Sequence, residues 1–553
     1  MLRHIRILAL ILAVLTASGC VRPASSTKAV SAVKASLAVA PPTFLDVAQS
    51  AGLHYTWTIP GKRPLNILQT AGNGCAFLDY NNDGFLDILL VGPSLALYQG
   101  DGHGHFTDVT HQTGLDRLHG HFLGCAVGDY DNDGYDDLYL SGYKTGLLLH
   151  NDQGRRFTDV TAQAGLSPQP WGTSCIFFDA DNDGKLDLFV GNYVKFGPDT
   201  RPQLCSLRGV LTSCGPSDYQ PLRGVLYHNL GHGRFQDVTH AWGLDTMIGR
   251  TLGVAAGVYG PHFLPALALA DDETPGNLFI FHGRSAEDIG TQTGVARNGA
   301  EVVGGMGIDW GDYDNDGNLD LVIATYENQG KLLMHNADGV MTTQDSYGVG
   351  LGDEGLRVAF GVKFLDVDND GRLDLLFANG HIESNVDQIG GIGPASNFVY
   401  RQPLMLFHNV DGSRYENASA QLGSGAERSI VGRGLATGDF DNDGKIDVLV
   451  TDAEGTPLLL HNVSPSAGHW MEIKLRGSRS NRDGIGALVT VEAEGKKLLR
   501  LCTTGGSYLS ASDRRVHIGL GDAKAGTVTV RWPSGTTRSY GHIAADRIVT
   551  LTE

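Results

Sequence analysis

One nine-residue pattern, D-x-[DN]-x-D-G-x-x-D, constrains this chain more than anything else in it. It begins at Asp79 (DYNNDGFLD), Asp129 (DYDNDGYDD), Asp179 (DADNDGKLD), Asp312 (DYDNDGNLD), Asp366 (DVDNDGRLD) and Asp439 (DFDNDGKID). Six copies exclude coincidence and define an internal repeat. Each follows a short apolar stretch such as Cys75-Ala76-Phe77-Leu78 and runs into another such as Leu86–Val91. An apolar-His-Asn turn comes next, at Leu149-His150-Asn151, Tyr227-His228-Asn229, Met334-His335-Asn336, Phe407-His408-Asn409 and Leu460-His461-Asn462. An F-x-D-V-T strand closes several units, as at Phe106–Thr110, Phe157–Thr161 and Phe235–Thr239. Four short strands in about 50 residues is the period and strand count of a propeller blade.

The spacing also gives a blade count. The first three motifs lie 50 residues apart, but 133 residues separate Asp179 from Asp312. That gap holds a further unit at Leu252–Leu267, where Val258, Gly260, His262 and Ala266 stand in the acidic positions. The expectation is a seven-bladed β-propeller over 41–463, with six acidic loops and one blade that has lost its ligands. Phe44-Leu45-Asp46-Val47 has no blade before it, and the last blade lacks its closing strand, so the first strand should complete the ring and remove its open edges. Residues 464–553 carry no acidic motif. Alternating stretches at Trp470–Leu475, Ala487–Ala493, Lys497–Cys502 and Thr527–Trp532 predict a separate small β domain of sandwich type. The fold class is therefore all-β, and the 75 glycines, about twice ordinary usage, suit many tight turns.

The acidic loops read as calcium sites. Four oxygen side chains in nine residues repel one another unless a cation lies among them. Positions 1, 3, 5 and 9 should point inward and the carbonyl of position 7 should add an oxygen. This gives Asp79, Asn81, Asp83, Phe85 and Asp87; Asp129, Asp131, Asp133, Tyr135 and Asp137; Asp179, Asp181, Asp183, Lys185 and Asp187. The later loops give Asp312, Asp314, Asp316, Asn318 and Asp320; Asp366, Asp368, Asp370, Arg372 and Asp374; Asp439, Asp441, Asp443, Lys445 and Asp447. Gly at position 6 permits the sharp turn and Asn at position 4 tolerates the left-handed region. Hard oxygen donors in this number suit about six Ca²⁺ ions, and the loops hold no His or Cys for a softer metal. An EF-hand is excluded, because its position 12 is Glu whereas here it is Leu90, Leu140, Val190, Ile323, Phe377 or Val450. The His-Asn residues, equivalent from blade to blade, read as turn packing.

With 42 basic against 61 acidic residues the formal charge is −19. A nucleic-acid partner is not expected, since phosphate binding needs a basic surface. Arg3, Arg6 and the apolar run Ile7–Leu15 precede Thr16-Ala17-Ser18-Gly19-Cys20, which reads as a signal peptide over 1–20. The small residues before Cys20 resemble a bacterial lipobox, so Cys20 is the expected lipidation site and 21–40 a flexible tether. The destination is then extracytoplasmic, with a lipid anchor in the outer membrane or cell surface, or in the periplasm. Cys205 and Cys214 lie in a loop insertion, and a secreted context favours a disulfide between them. Cys75, Cys125 and Cys175, each four residues before its motif, and Cys502 read as buried free thiols.

The unit D-x-D-x-D-G-x-x-D within GDYDNDG resembles the FG-GAP/VCBS repeats of integrin α-like propellers. Ser480–Ala487 (SNRDGIGA), Gly505–Ser512 (GGSYLSAS), His517–Gly521 (HIGLG) and Trp532–Gly535 (WPSG) are similar to the ASPIC/UnbV domain. Together, with Cys214-Gly215-Pro216 and Asn379–Ile382 (NGHI), they resemble the cartilage acidic protein-like family over about 41–553. That resemblance implies a secreted or surface-attached calcium-binding protein. The chain holds no HExxH, GxSxG, P-loop or GxGxxG with an acidic ribose ligand, and no catalytic residue is assigned. The leading expectation is a surface module that binds or adheres to a protein or glycan ligand. An enzyme acting on a polysaccharide or small metabolite through the propeller face is one alternative, and a purely structural envelope lipoprotein is the other. Any ligand on that face should meet the loops Asn192–Tyr219, Asp271–Gly276 and Gly380–Ser396, which have the most individual character.

Overall fold

The computed structural model describes residues 43–295, 297–352, 357–389, 399–423, 427–465 and 467–553. The expected leader, Cys20 and tether, and residues 390–396 of the last face loop, lie outside the described residues.

Short strands in these units bury both faces. In Ile88-Leu89-Leu90, successive side chains point to opposite sides of the sheet. Leu89 packs toward the second unit beside Val127 and Leu138. Ile88 and Leu90 pack the other way, beside Ala436 and Leu449 of the last unit. Because each sheet is covered on both sides, its central strands read as continuous apolar runs.

Before residue 463 the strands form five four-stranded antiparallel sheets, one seven-stranded sheet that joins two successive units, and two small two-stranded ladders, so the repeat gives seven units. Their first strands are Cys75–Leu78, His121–Gly128, Gln169–Phe178, Thr251–Tyr259, Gly305–Gly311, Ala359–Leu365 and Gly432–Gly438. Each contacts the first strand of the next unit, and the seventh contacts the first. Apolar clusters fill the gap between every neighbouring pair of units, around to the seventh and the first. The second unit is built with the 15-residue strand Asp137–Asn151, which pairs with the third at Tyr143↔Trp171 and Thr145↔Gln169. Strand Phe44–Asp46 completes the seventh sheet, Phe44 opposite Asn462 and Asp46 opposite Leu460. The ring is thus closed by the chain's first described strand.

The fourth unit shows what the acidic residues do locally. In the intact units the ladder stops at a pair such as Phe178↔Asp187 or Gly311↔Asp320. The equivalent pair here is Gly257↔Ala266, and the ladder continues through Val258↔Pro265 and Tyr259↔Leu264. The same eight-residue spacer zips into a hairpin once carboxylates no longer hold it open.

Residues after 468 form two sheets, one of three strands and one of four, around a shared apolar core that includes Ile473, Val489, Ile518 and Trp532. The strands expected at 470–475, 487–493, 497–502 and 527–532 appear as His469–Arg476, Leu488–Ala493, Lys496–Leu501 and Ala525–Arg531. These sheets and the ring belong to one compact unit of the described residues. The segment Thr503–Asp513 leaves these sheets and fills the axis of the ring. Thr504 Oγ1 donates to Val127 O at 2.8 Å and Tyr508 OH donates to Ala71 O at 2.7 Å. Leu509 N donates to Ser174 Oγ at 2.9 Å, Ser507 bridges Ile308 and Ala511 bridges Ala76. Gly74 is required by this approach, since a Cβ there would lie 1.9 Å from Leu509 O.

Candidate metal centres and the opposite face

Each intact acidic loop starts where a first strand ends and stops where the second begins, so all six lie at one end of the ring. Position 4 is left-handed in every one, with φ between 57° and 62° at Asn82, Asn132, Asn182, Asn315, Asn369 and Asn442. Position 6 has φ from 84° at Gly184 to 101° at Gly134, a conformation glycine adopts without strain.

Position 1 organises the turn. Its carboxylate accepts from the N–H of the position-6 glycine, at 2.7 Å for Asp129 and Asp439 and 3.0 Å for Asp179. Position 9 ties the loop to the sheet. Asp187 accepts from Ala180 N at 3.0 Å and from Asn229 N at 2.8 Å. Asp447 does the same with Phe440 N at 3.1 Å and Asn462 N at 2.8 Å. These bonds leave a remainder. Asp79 Oδ1, Asp181 Oδ1, Asp312 Oδ1, Asp368 Oδ1 and Asp441 Oδ1 are buried and accept no hydrogen bond. One such oxygen sits in each of five loops, always at position 1 or 3.

Burial, and the carboxylates beside them, push the position-1 acids upward. Asp179 is raised to about 8, by burial first and by Asp187 next. Asp129 is raised to about 9, by burial and then by Asp483 and Asp137. Buried carboxylates without a donor or a counter-charge are costly. The donors are hard oxygens, and five of the loops each keep one buried carboxylate oxygen without a hydrogen bond, so a hard divalent cation fits the set.

Two contributors were not legible in the motif. The first is the histidine of the His-Asn pair, which lies on the end of the third strand rather than in a turn. His150 Nδ1 is 3.3 Å from both Asp131 Oδ2 and Asp137 Oδ1, and His228 Nδ1 is 2.9 Å from Asp187 Oδ1. His335, His408 and His461 take equivalent places beside Asp314, Asp374 and Asp441. The first unit has Gln99 instead, whose Nε2 donates to Asp83 Oδ2 at 3.3 Å. The Asp137 carboxylate beside the ring raises His150 to about 9. The repetition of His was the signal, and packing alone does not account for it.

The second is asparagine. The Asn of four His-Asn pairs joins two units, as when Asn229 Nδ2 donates to Leu186 O in its own loop and to Tyr130 O in the preceding one, whereas Asn336, which follows the fourth unit, donates to Leu319 O in its own loop. The position-4 asparagines then link the loops in series. Asn82 donates to Gly134 O, Asn132 to Gly184 O, Asn315 to Gly371 O, Asn369 to Gly444 O and Asn442 to Gly84 O. The chain of bonds breaks only at the fourth unit among the described residues.

The C-terminal sheets cover this acidic end with basic side chains. Arg514 pairs with Asp136 of the second loop, and Arg515 Nη2 donates to Asp439 O of the last at 2.7 Å. Arg482 Nε is 3.8 Å from Asp129 Oδ2, and Lys474 Nζ is 3.7 Å from Asp79 Oδ2. Cys205 and Cys214 are disulfide-bonded, and Cys75, Cys125, Cys175 and Cys502 are buried free thiols. The loops from Asn192, Asp271 and Gly380 leave the far ends of second strands, so they gather on the opposite face.

The FG-GAP-like repeat family matches residues 79–140, 129–190 and 312–377, and the ASPIC and UnbV family matches 477–553. Among curated proteins, cartilage acidic protein 1 of Xenopus tropicalis is 23% identical over 393 residues, covering 68% of this chain and 54% of the relative. The Homo sapiens protein of that name is also 23% identical, over 68% of this chain and 52% of the relative. The chain therefore spans about half the length of the curated relatives it matches. Among solved structures, an Agrocybe aegerita lectin described as recognising non-reducing terminal N-acetylglucosamine aligns with a TM-score of 0.41 at 12% identity. It covers 69% of this chain and 86% of that one. YCF48 from Cyanidioschyzon merolae aligns with a TM-score of 0.38 at 10% identity, over 73% and 99%.

Proposed function

We propose that this chain, an all-β protein with FG-GAP-like repeats and an ASPIC/UnbV domain, is a calcium-stapled binding module of the cell exterior that holds a protein or glycan ligand. The observation that carries the calcium reading is the buried carboxylate oxygen without a donor, repeated in five loops. In each loop the side chains of positions 1, 3, 5 and 9 and the carbonyl of position 7 would hold the ion. A bound calcium ion supplies two positive charges to a cluster that burial and mutual repulsion otherwise disfavour. Position 9 keeps its two backbone donors throughout, so the loop stays attached to its sheet.

Several features support a binding role. The acidic end is covered by the C-terminal sheets, which leaves the opposite face, with its three individual loops, as the surface open to a partner. The curated relatives carry the name cartilage acidic protein 1, in keeping with an extracellular matrix or surface setting. Lipidation at Cys20 would hold the module at a membrane, and a Cys20→Ser variant should leave the membrane fraction and become soluble. Binding is tested on arrays of glycans and of immobilised matrix proteins, with calcium and with EGTA. A saturable signal that disappears on chelation and returns with calcium is expected. A signal indifferent to chelation, or none on either array, contradicts the reading.

A further inference from the structure

The open face holds a cavity of about 420 Å³, within the range of small-molecule sites. Its floor is Phe360 of the sixth unit and Tyr508 of the axial segment, with ring centroids 5.0 Å apart at 60°. Its roof is the disulfide-tied hairpin Cys205–Leu207 and Val210–Thr212. That hairpin leaves the third unit and is held by the loop that follows the sixth unit's second strand. Ser213 N donates to Glu383 Oε2 at 3.1 Å, and Asn385 Nδ2 donates to Leu211 O at 3.0 Å. Leu207, which lines the cavity, is 51% exposed and marks the mouth.

The lining has one charge sign. Asp272, Glu273 and Glu383 line it, and among the described residues no Lys, Arg or His does. Asp272 is 7% exposed and Glu383 6%. Each has one oxygen engaged and one free. Tyr193 OH donates to Asp272 Oδ2 at 2.5 Å, and Ser213 N takes Glu383 Oε2. Asp272 Oδ1 and Glu383 Oε1 accept no hydrogen bond from the described residues. The nearby guanidinium of Arg433 stacks on Phe360 at 3.9 Å but donates to the carbonyls of Thr70, Gly380 and Gly432. It is not among the lining residues.

We infer that this cavity binds a small organic cation, an ammonium group carried on an apolar body. One carboxylate oxygen of Asp272 and one of Glu383, with no donor among the described residues, match an ammonium N–H or its charge. The rings of Tyr193, Tyr326, Phe360 and Tyr508 offer faces and edges to the rest of the molecule. A metal ion fits less well, since calcium takes six to eight oxygens and most of this lining is aromatic or aliphatic. The inference goes beyond the calcium reading and involves none of the acidic loops.

The test titrates the full-length, calcium-saturated protein by calorimetry with two matched pairs. These are 2-phenylethylammonium against 2-phenylethanol, and choline against 3,3-dimethylbutan-1-ol. Saturable binding is expected for at least one ammonium probe, at least tenfold tighter than its neutral partner. Asp272→Asn and Glu383→Gln should each weaken that binding about tenfold, while Glu416→Gln on the exposed rim of the sixth unit should not. Equal affinity for the neutral partner, tighter binding of N-acetylglucosamine than of either ammonium, or no saturable ammonium binding overturns the inference. So does binding that survives both substitutions. Should a variant fail to fold, the charged-to-neutral ratio of the unaltered protein decides alone.

Discussion

Asn229 shows how one side chain can stitch two blades. Its Nδ2 donates to two carbonyls, one on each side of the gap, and Gly231 N donates to its Oδ1. Asn229→Ala should orphan these buried groups and cost on the order of 1–3 kcal/mol in denaturant unfolding of the calcium-loaded protein. Glu553 plays a comparable part in the C-terminal sheets. Burial would raise its carboxyl, but donors from Ser480, Ser534, Arg479 and Ser478 hold it at about 2. A lowered folded-state value means that its stabilisation is present above the ordinary 4.5 and is lost as pH falls from there toward about 2. Melting curves of the unaltered protein and of Glu553→Gln should therefore differ at pH 7 and converge at about pH 2, the variant being the less stable at pH 7. At this scale the sequence was partly legible. The position-6 glycines and position-4 asparagines follow from the turn they must make. The imidazoles beside the carboxylates do not, because that contact depends on where the third strand ends in space.

Among the elements, the fourth unit and the axial segment teach most. The fourth unit could be read from its apolar frame without any acidic residue, because side-chain alternation and strand length survive the loss of ligands. Its extended hairpin explains why the loss is tolerated: two more ladder pairs replace the acidic loop. The axial segment Thr503–Asp513 was not legible. Gly505–Ser512 carries the ASPIC/UnbV resemblance, but nothing local says that it threads a ring whose strands lie hundreds of residues away. Leu509 is fully buried there, against Gly74 and Gly124. Leu509→Ala should cost about 2–5 kcal/mol by leaving a cavity. It should also lower the protection of the propeller amides that bond this segment, such as Cys125 N, in hydrogen-exchange measurements. If only the C-terminal sheets lose protection, the segment does not support the ring.

The whole molecule is a ring secured in three ways. The first strand closes the seventh sheet, asparagines join neighbouring loops, and the C-terminal sheets cap the acidic end while filling the axis. That a cation holds the acidic loops is the central proposal, since their clustered carboxylates otherwise repel one another. Ions that bind only the folded chain raise its stability in proportion to their occupancy. The direct measurement is metal content by mass spectrometry, read beside the melting temperature before and after EGTA. About six calcium ions per chain are expected, one for each motif, with a clear fall in melting temperature on chelation. Asp181→Ala should lose about one ion, and a substitution at His262 none. A protein isolated without metal that melts at the same temperature with or without EGTA would contradict the account.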